Sequence, residues 1–322
     1  FAAFCGTRHC IGVGNGTDAL ELALKALDLK PGERVATVAN AGMYGTAAIL
    51  AVGARPLFID IDPATMNMSA ASLAEQIDET TKAVIVTHLY GQLADMEGLQ
   101  TIARQHGLSL IEDCAQAHGA ARDGQRAGGF GDIGCYSFYP TKNLGALGDG
   151  GALVTNDEDL NERLMAMRQY GWRERFVSTP PLGRNSRLDE MQAALLRVKL
   201  PFVSGWNAKR REVIKRYSEA LADRELTWPA MRGENHVAHL CVVRSKKRDA
   251  LQEHLRAMNI GAGVHYPLPD YHQPSVMAAI GESDPLPETE ASTARILSLP
   301  CFPGMTEAEL EAVIGAIKSA DI

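Results

Sequence analysis

The chain has 322 residues, long for one ordinary domain and short for three, with 46% hydrophobic and 22% charged side chains; that balance supplies a sizeable core and excludes a disordered chain. The formal net charge of −7 argues against a general nucleic-acid-binding role, which calls for a basic surface. No apolar run reaches the ~20 residues that a bilayer-spanning helix requires, and no basic-then-apolar leader opens the sequence, so a cytoplasmic location is expected.

The sequence begins apolar, with Phe1-Ala2-Ala3-Phe4 and no Met, and reads like a helix entered midway, so a preceding segment is expected to be missing. In chain order, Cys10–Val13 is expected to be a short strand. A helix follows over Asp18–Leu27, where Leu20, Ala23, Leu24 and Leu27 recur at helical spacing, and Pro31-Gly32 ends it. Val35–Val38 and Pro56–Ile61 are β-rich runs bounded by turn residues. Leu73–Ile77 is expected to be helical, Ala83–Thr87 a strand, and Met96–His106 a helix closed by Gly107. Leu108–Glu112, Ile133–Phe138 and Ala152–Thr155 are further strands. Strands that alternate with helices, several of them apolar on both faces, predict an α/β fold with a mostly parallel sheet sandwiched by helices.

After residue 158 the pattern changes. Glu158–Tyr170, Leu188–Leu200 and Asn207–Ala222 are expected to be helical. A smaller α+β C-terminal unit then follows from a strand at Leu240–Val243, a helix at Arg248–Met258, a Pro-rich loop at Pro267–Pro287 and a last helix at Glu307–Lys318. Pro201 and Gly205 interrupt the helices, which divides the chain into a large unit over 1–204 and a small one over 205–322. The six cysteines are scattered. Cys5 and Cys10, even with His9, complete no four-ligand spacing, so no metal site is expected and the cysteines are read as small buried hydrophobes of a reducing compartment. Trp172, Trp206 and Trp228 are read as packing residues, and Lys209-Arg210-Arg211 as a solvated helix face.

Ligands of an open parallel sheet sit beyond the carboxyl ends of its strands, so the residues after each strand carry the functional reading. Gly12-Val13-Gly14-Asn15-Gly16-Thr17 lies between a strand and a helix, where backbone N–H groups and the helix dipole suit a phosphate; a plain packing turn fits the same residues equally well. The glycines are spaced GxGxG, not GxGxxG, and there is no P-loop Lys, which disfavours a nicotinamide dehydrogenase. Asp113 ends an apolar strand in Glu112-Asp113-Cys114-Ala115-Gln116-Ala117-His118. A carboxylate there can hold a ring nitrogen protonated and Gln116 can donate to a ring oxygen, although capping a helix is the plainer role for Asp. Ser137 lies near the end of a strand and Lys142 on the loop beyond it. Lys is ordinarily solvated, but burial lowers the proton affinity of its amine and makes it a nucleophile towards carbonyls. A phosphate cradle, a carboxylate after one strand and a Lys after a later one together describe a pyridoxal phosphate site, in which Lys forms the Schiff base and an acid pairs with the ring nitrogen.

These residues fall in GNGTDAL at Gly14–Leu20, EDCAQAHGA at Glu112–Ala120, SFYPTKNLGALGDGG at Ser137–Gly151 and GRNSRLDEMQAA at Gly183–Ala194, with GVHYPLP at Gly263–Pro269 further on. On these motifs the sequence resembles the DegT/DnrJ/EryC1/StrS sugar aminotransferases, fold-type I enzymes of pyridoxal 5'-phosphate, over nearly its whole length. The resemblance implies transfer of an amino group from an amino acid, with glutamate the expected donor, to a nucleotide-linked keto-deoxysugar. A deoxythymidine-linked 3-keto-6-deoxyhexose is favoured over a 4-keto sugar.

It further implies that Gly16, Thr17 and Ser137 contact the cofactor phosphate, Asp113 the ring nitrogen and Gln116 the ring oxygen. Lys142 would be the covalent anchor and proton carrier. Asn185 would reach the phosphate of the neighbouring subunit, which makes an obligate homodimer with shared sites. Two departures from the family pattern stand out: the missing start, and the stretch Asn40-Ala41-Gly42-Met43-Tyr44-Gly45-Thr46, where relatives carry a ring-stacking aromatic near the place of Gly42. Tyr44 is the expected substitute. His88, His265 and Tyr266 are candidate substrate contacts, His88 also fitting a structural role. Two alternatives remain: a pyridoxamine-dependent sugar dehydratase, disfavoured because such relatives replace the Lys with His, and a non-catalytic regulator that keeps the fold.

Overall fold

The computed structural model describes residues 1–228, 230 and 233–321. Seven strands, β1 (His9–Val13), β2 (Arg34–Val38), β3 (Arg55–Ile59), β4 (Thr81–Thr87), β5 (Ser109–Asp113), β6 (Ile133–Ser137) and β7 (Gly151–Thr155), form one sheet in the order β1-β7-β6-β5-β4-β2-β3. The pairs from β6 to β3 are parallel, whereas β7 runs antiparallel to both its neighbours. Two reversals restore the direction, so β1, β5 and β6 all end at the same edge of the sheet. The expected α/β fold, with a mostly parallel sheet covered by helices, is the fold of this chain.

Alternation along β4 explains why the sheet is covered twice. Val84 and Val86 enter one apolar cluster, with Leu57, Ile59, Leu89 and Leu99. Ala83 and Ile85 enter the other, with Leu20, Leu22, Leu24 and Ile111. Period-2 side chains that are apolar on both faces require a layer of helices on each side. The helix α1 (Gly16–Ala26) packs on the second face, its start fixed by Asn15, whose side chain accepts from Asp18 N. Full burial of each Leu contributes roughly 1.5–3 kcal/mol, so the turn ahead of α1 is held on the sheet by the helix behind it.

The C-terminal part builds its own three-stranded antiparallel sheet from β8 (Leu226–Thr227), β9 (Cys241–Ser245) and β10 (Ile296–Leu299). Its core includes Tyr217, Leu251, Leu255, Leu310 and Ile314. The final helix, Glu307–Ser319, opens with a capping box between Thr306 and Glu309. The helix Val203–Ala220 runs without a break through Gly205, so the expected boundary lies inside a helix and not in a linker. The expected Pro-rich loop holds two helices, Pro274–Ile280 and Pro287–Thr293. Cys10 is exposed, unlike the buried Cys5, Cys114, Cys135 and Cys241. Among the described residues no helix is long and apolar enough to cross a membrane.

Candidate active site

A cavity of about 880 Å³ opens at the edge where β1, β5 and β6 end. Gly16 and Thr17, in the first turn of α1, line it together with Ser137. The first N–H groups of a helix have no partner within it and present a positive dipole end. A Cβ on Gly16 would lie 2.7 Å from Ser137 Cβ, so only glycine brings this helix start against the end of β6. The result is a cradle of backbone donors flanked by two hydroxyls, which suits a phosphate.

Asp113 ends β5 and is only 5% exposed. Its Oδ1 accepts from Ala115 N at 3.1 Å. Burial pushes its carboxyl above the ordinary value, opposed by the Ala115 donor, then by Lys142 and His88. Lys142 sits in the turn after β6, where its backbone N donates to Tyr139 O at 2.9 Å, and both Asp113 and Lys142 line the cavity. Burial pulls the Lys142 amine below its ordinary value, and Asp113 opposes that shift. The site thus offers an amine with weakened proton affinity beside a carboxylate short of donors.

The opposite wall comes from two loops. Tyr44, 46% exposed, opens the helix Tyr44–Ala51, and its ring stands edge-on to Tyr266 at 6.2 Å. A Cβ at Gly42 would meet the Tyr266 ring at 2.8 Å, so the ring of a later loop fills the space at Gly42. Asp270, 1% exposed, clips the two loops together: it accepts from Met43 N at 3.0 Å and from Thr46 Oγ1 at 2.6 Å. Burial raises its carboxyl to about 7, against those two donors. Tyr90 donates its hydroxyl to His265 O at 2.6 Å, which pins the second loop from below. Tyr44, His265 and Tyr266 all line the cavity.

Three expected residues lie elsewhere. His88 is fully buried. Its Nδ1 accepts from Ala94 N at 3.2 Å, which leaves Nε2 to donate to Glu112 at 2.9 Å. It is not among the residues that line the cavity, and its contacts fit the structural role that the sequence also allowed. Cys114 lies close enough to His88 and Glu112 to suggest an ion site, but Glu112 already accepts three backbone N–H groups, from Gly128, Phe130 and Gly131. Gln116 is buried behind the cavity, accepting from Tyr90 N at 2.6 Å and donating to the Tyr266 hydroxyl at 3.3 Å. Asn185 is exposed and absent from the cavity lining of its own chain.

Its neighbours hold its loop: Ser186 accepts from Gly14 N at 2.9 Å and donates to Asp18 at 2.5 Å, while Arg184 pairs with Asp18 and Glu21. Arg184 was missed by sequence reasoning although it stands in a recognised motif. His239, which lines the cavity and meets Asn143 at 2.9 Å, carried no sequence signal beyond preceding a strand. Arg210 corrects the reading of a solvated helix face: it is 9% exposed and donates to the carbonyls of His239 and Cys301.

Comparison with known proteins places the chain among relatives. The profile of the DegT/DnrJ/EryC1/StrS aminotransferase family matches residues 1–318. The "pleiotropic regulatory protein" of Geobacillus stearothermophilus is 44% identical, the match covering 98% of this chain and 86% of that protein. The dTDP-3-amino-3,6-dideoxy-alpha-D-galactopyranose transaminase of Aneurinibacillus thermoaerophilus is 43% identical over 98% of this chain and 87% of its own length. The crystal structure of S. venezuelae DesV in complex with a ketimine intermediate superposes with a TM-score of 0.94, at 38% identity, covering 98% of this chain and 86% of that one.

Proposed function

Because the chain belongs to the DegT/DnrJ/EryC1/StrS aminotransferase family, we propose that it is a pyridoxal phosphate-dependent enzyme that moves an amino group from glutamate to a dTDP-linked 3-keto-6-deoxyhexose. The observation that carries this reading is that Lys142, Asp113 and the donor cradle of Gly16, Thr17 and Ser137 line one cavity. The donor set fits the cofactor: a cradle that a single Cβ would fill, a buried carboxylate, and an amine whose proton affinity burial has lowered. Bound there, pyridoxal phosphate supplies an electron sink for charge that develops on the carbon bearing the amino group.

The chain's own residues do the rest. The N–H groups at Gly16 and Thr17, with the hydroxyls of Thr17 and Ser137, bind the phosphate. Asp113 holds a proton on the ring nitrogen. Lys142 Nζ would hold the ring and would serve as the general acid and base that moves the donor's proton. Tyr44 and Tyr266 wall the pocket. The name of the Aneurinibacillus relative supports a dTDP-linked sugar aminated at carbon 3. The name of the Geobacillus relative favours the regulator as a second reading; a regulator needs the pocket but no amine of this kind within it.

The assay loads the protein with pyridoxal phosphate, adds glutamate, and then offers each keto sugar while the visible absorption is followed. Loss of absorption with glutamate and its return with the 3-keto sugar, with an aminated product by mass spectrometry, is expected. Return with 2-oxo acids alone contradicts the sugar assignment, return with a 4-keto sugar alone overturns only the position, and no response to any donor leaves the regulator.

The functional unit in this reading is a homodimer, with Asn185 serving the neighbouring subunit's phosphate site. Asn185 is exposed within a segment that also exposes Leu182, Met191 and Val198, large apolar side chains that a second copy would cover. Mixing Asn185→Ala with Lys142→Ala subunits should restore activity, because one site of a hybrid escapes both changes. A fully active monomer contradicts it.

A further inference from the structure

A second cleft lies at the edge of the small unit and shares no lining residue with the active-site pocket. It has a volume of about 420 Å³ and lies among β8, the end of β9 and the helix Pro287–Thr293. Arg244, Lys246 and Arg295 bring three cations to it, against the carboxylates of Glu225 and Glu288. Two polar groups there have no hydrogen-bond partner among the described residues. One is the hydroxyl of Ser292, a residue only 3% exposed, and the other is the buried Nε of Arg244. Burial and the neighbouring Arg295 pull the Arg244 guanidinium below its ordinary value, while Glu288 and Asp62 oppose them more weakly.

Two guanidinium groups thus disfavour one another's charge in a cleft that also holds a buried hydroxyl with no partner among the described residues, and each of these raises the free energy of the folded state. An oxyanion answers both: guanidinium forks match its oxygens, and a hydroxyl donates to a third. We propose that this cleft is a binding site for a small, multiply charged oxyanion, a phosphate-type or dicarboxylate group, held by Arg244 and Arg295 with Ser292 donating. The carboxylates of Glu225 and Glu288 restrict the ligand to a compact anion. β9 begins two residues after the pocket-lining His239 and ends at the cleft with Arg244 and Ser245, so the two sites stand at opposite ends of one strand and are separable by mutation.

Calorimetric titration of the cofactor-loaded protein, first with inorganic pyrophosphate and separately with succinate, tests the site. At least one probe is expected to bind once per chain, and to bind about tenfold more weakly in Arg295→Gln and in Ser292→Ala, the loss of one charge-assisted or one buried hydrogen bond. Arg295 is exposed, so its replacement leaves the core intact, and Arg244→Gln is the stronger third variant. Binding of pyrophosphate alone assigns the ligand to the phosphate class, and binding of succinate alone to the dicarboxylates. Equal affinity in the wild type and both variants, or no binding of either probe, overturns the proposal.

Discussion

Glu112 and Asp113 are neighbours on β5, both buried, and opposite in every other respect. Consecutive strand residues face opposite sides of a sheet. Glu112 accepts from His88 Nε2 and from the backbone N–H groups of Gly128, Phe130 and Gly131, all within 2.9 Å. Asp113 accepts from Ala115 N and faces the cavity with Lys142. The first carboxylate is satisfied by its own chain and ties together β5, the residue after β4 and the turn before β6. The second is left short of donors, and burial raises its carboxyl as a consequence. In the proposed function that unsatisfied acid is the one that meets the cofactor, and the difference predicts that one residue governs stability and the other chemistry.

The largest effect should come from the partner of the unsatisfied acid. Lys142→Ala should lower the amino-transfer rate by about 10³-fold or more, the scale of a lost general acid and base, while its melting temperature stays at or above that of the wild type, since a buried amine is removed. Asp113→Asn should lower the rate by about 10²–10⁴-fold, and here the comparison sharpens. The folded-state value of Asp113 is raised, so its contribution to stability is present at low pH and lost as the pH rises through that value. The cofactor-free Asp113→Asn protein should therefore be more stable than the wild type at neutral pH, with the gap closing on acidification; urea unfolding between pH 4 and about 8 measures it.

Glu112→Gln should do the reverse. It replaces one carboxylate oxygen by an amide NH2 that cannot accept, which leaves two buried donors unsatisfied at a cost of about 1–3 kcal/mol each, read in the same urea experiment, and leaves the cofactor affinity of the folded fraction unchanged. A stable Glu112→Gln protein with impaired cofactor binding would break the distinction between the two acids. The smallest effect belongs to the cradle. Gly16→Ala places a Cβ 2.7 Å from Ser137 Cβ, and overpacking of about 1–3 kcal/mol should weaken cofactor affinity with little change in secondary structure by circular dichroism.

Asp113 and Lys142 show what the sequence made legible. A strand of Leu, Ile and Glu ends in a carboxylate and a second strand is followed by a Lys among glycines; strand periodicity places both at the ligand edge, and both line the cavity. His88 follows a strand in the same way, yet it turns away to Glu112, because the direction of a side chain leaving a strand is set by the loop geometry, which one sequence does not encode in its periodicity. Tyr44–Ala51 was not read as a helix, since it has no capping side chain and its N-cap residue, Met43, adopts a left-handed φ of 72°. The helices at Pro274 and Pro287 were hidden for a related reason: Pro reads as a loop signal but is well suited to the first turn of a helix, where its missing N–H is no loss. Arg210 looks like any cation on a charged helix, and only tertiary packing buries it against three carbonyls. Periodicity recovered the layers and the strand ends; contacts that join distant loops, such as Asp270 to Met43 and Thr46, left no local trace.

The central claim is that Lys142, opposite Asp113, anchors pyridoxal phosphate. Borohydride treatment of the cofactor-loaded protein, followed by proteolysis and mass mapping, tests it directly. The account predicts that the reduced cofactor remains attached to the peptide containing Lys142 and that attachment disappears in Lys142→Ala. Attachment at any other Lys, or none in a protein that has bound the cofactor, would contradict it.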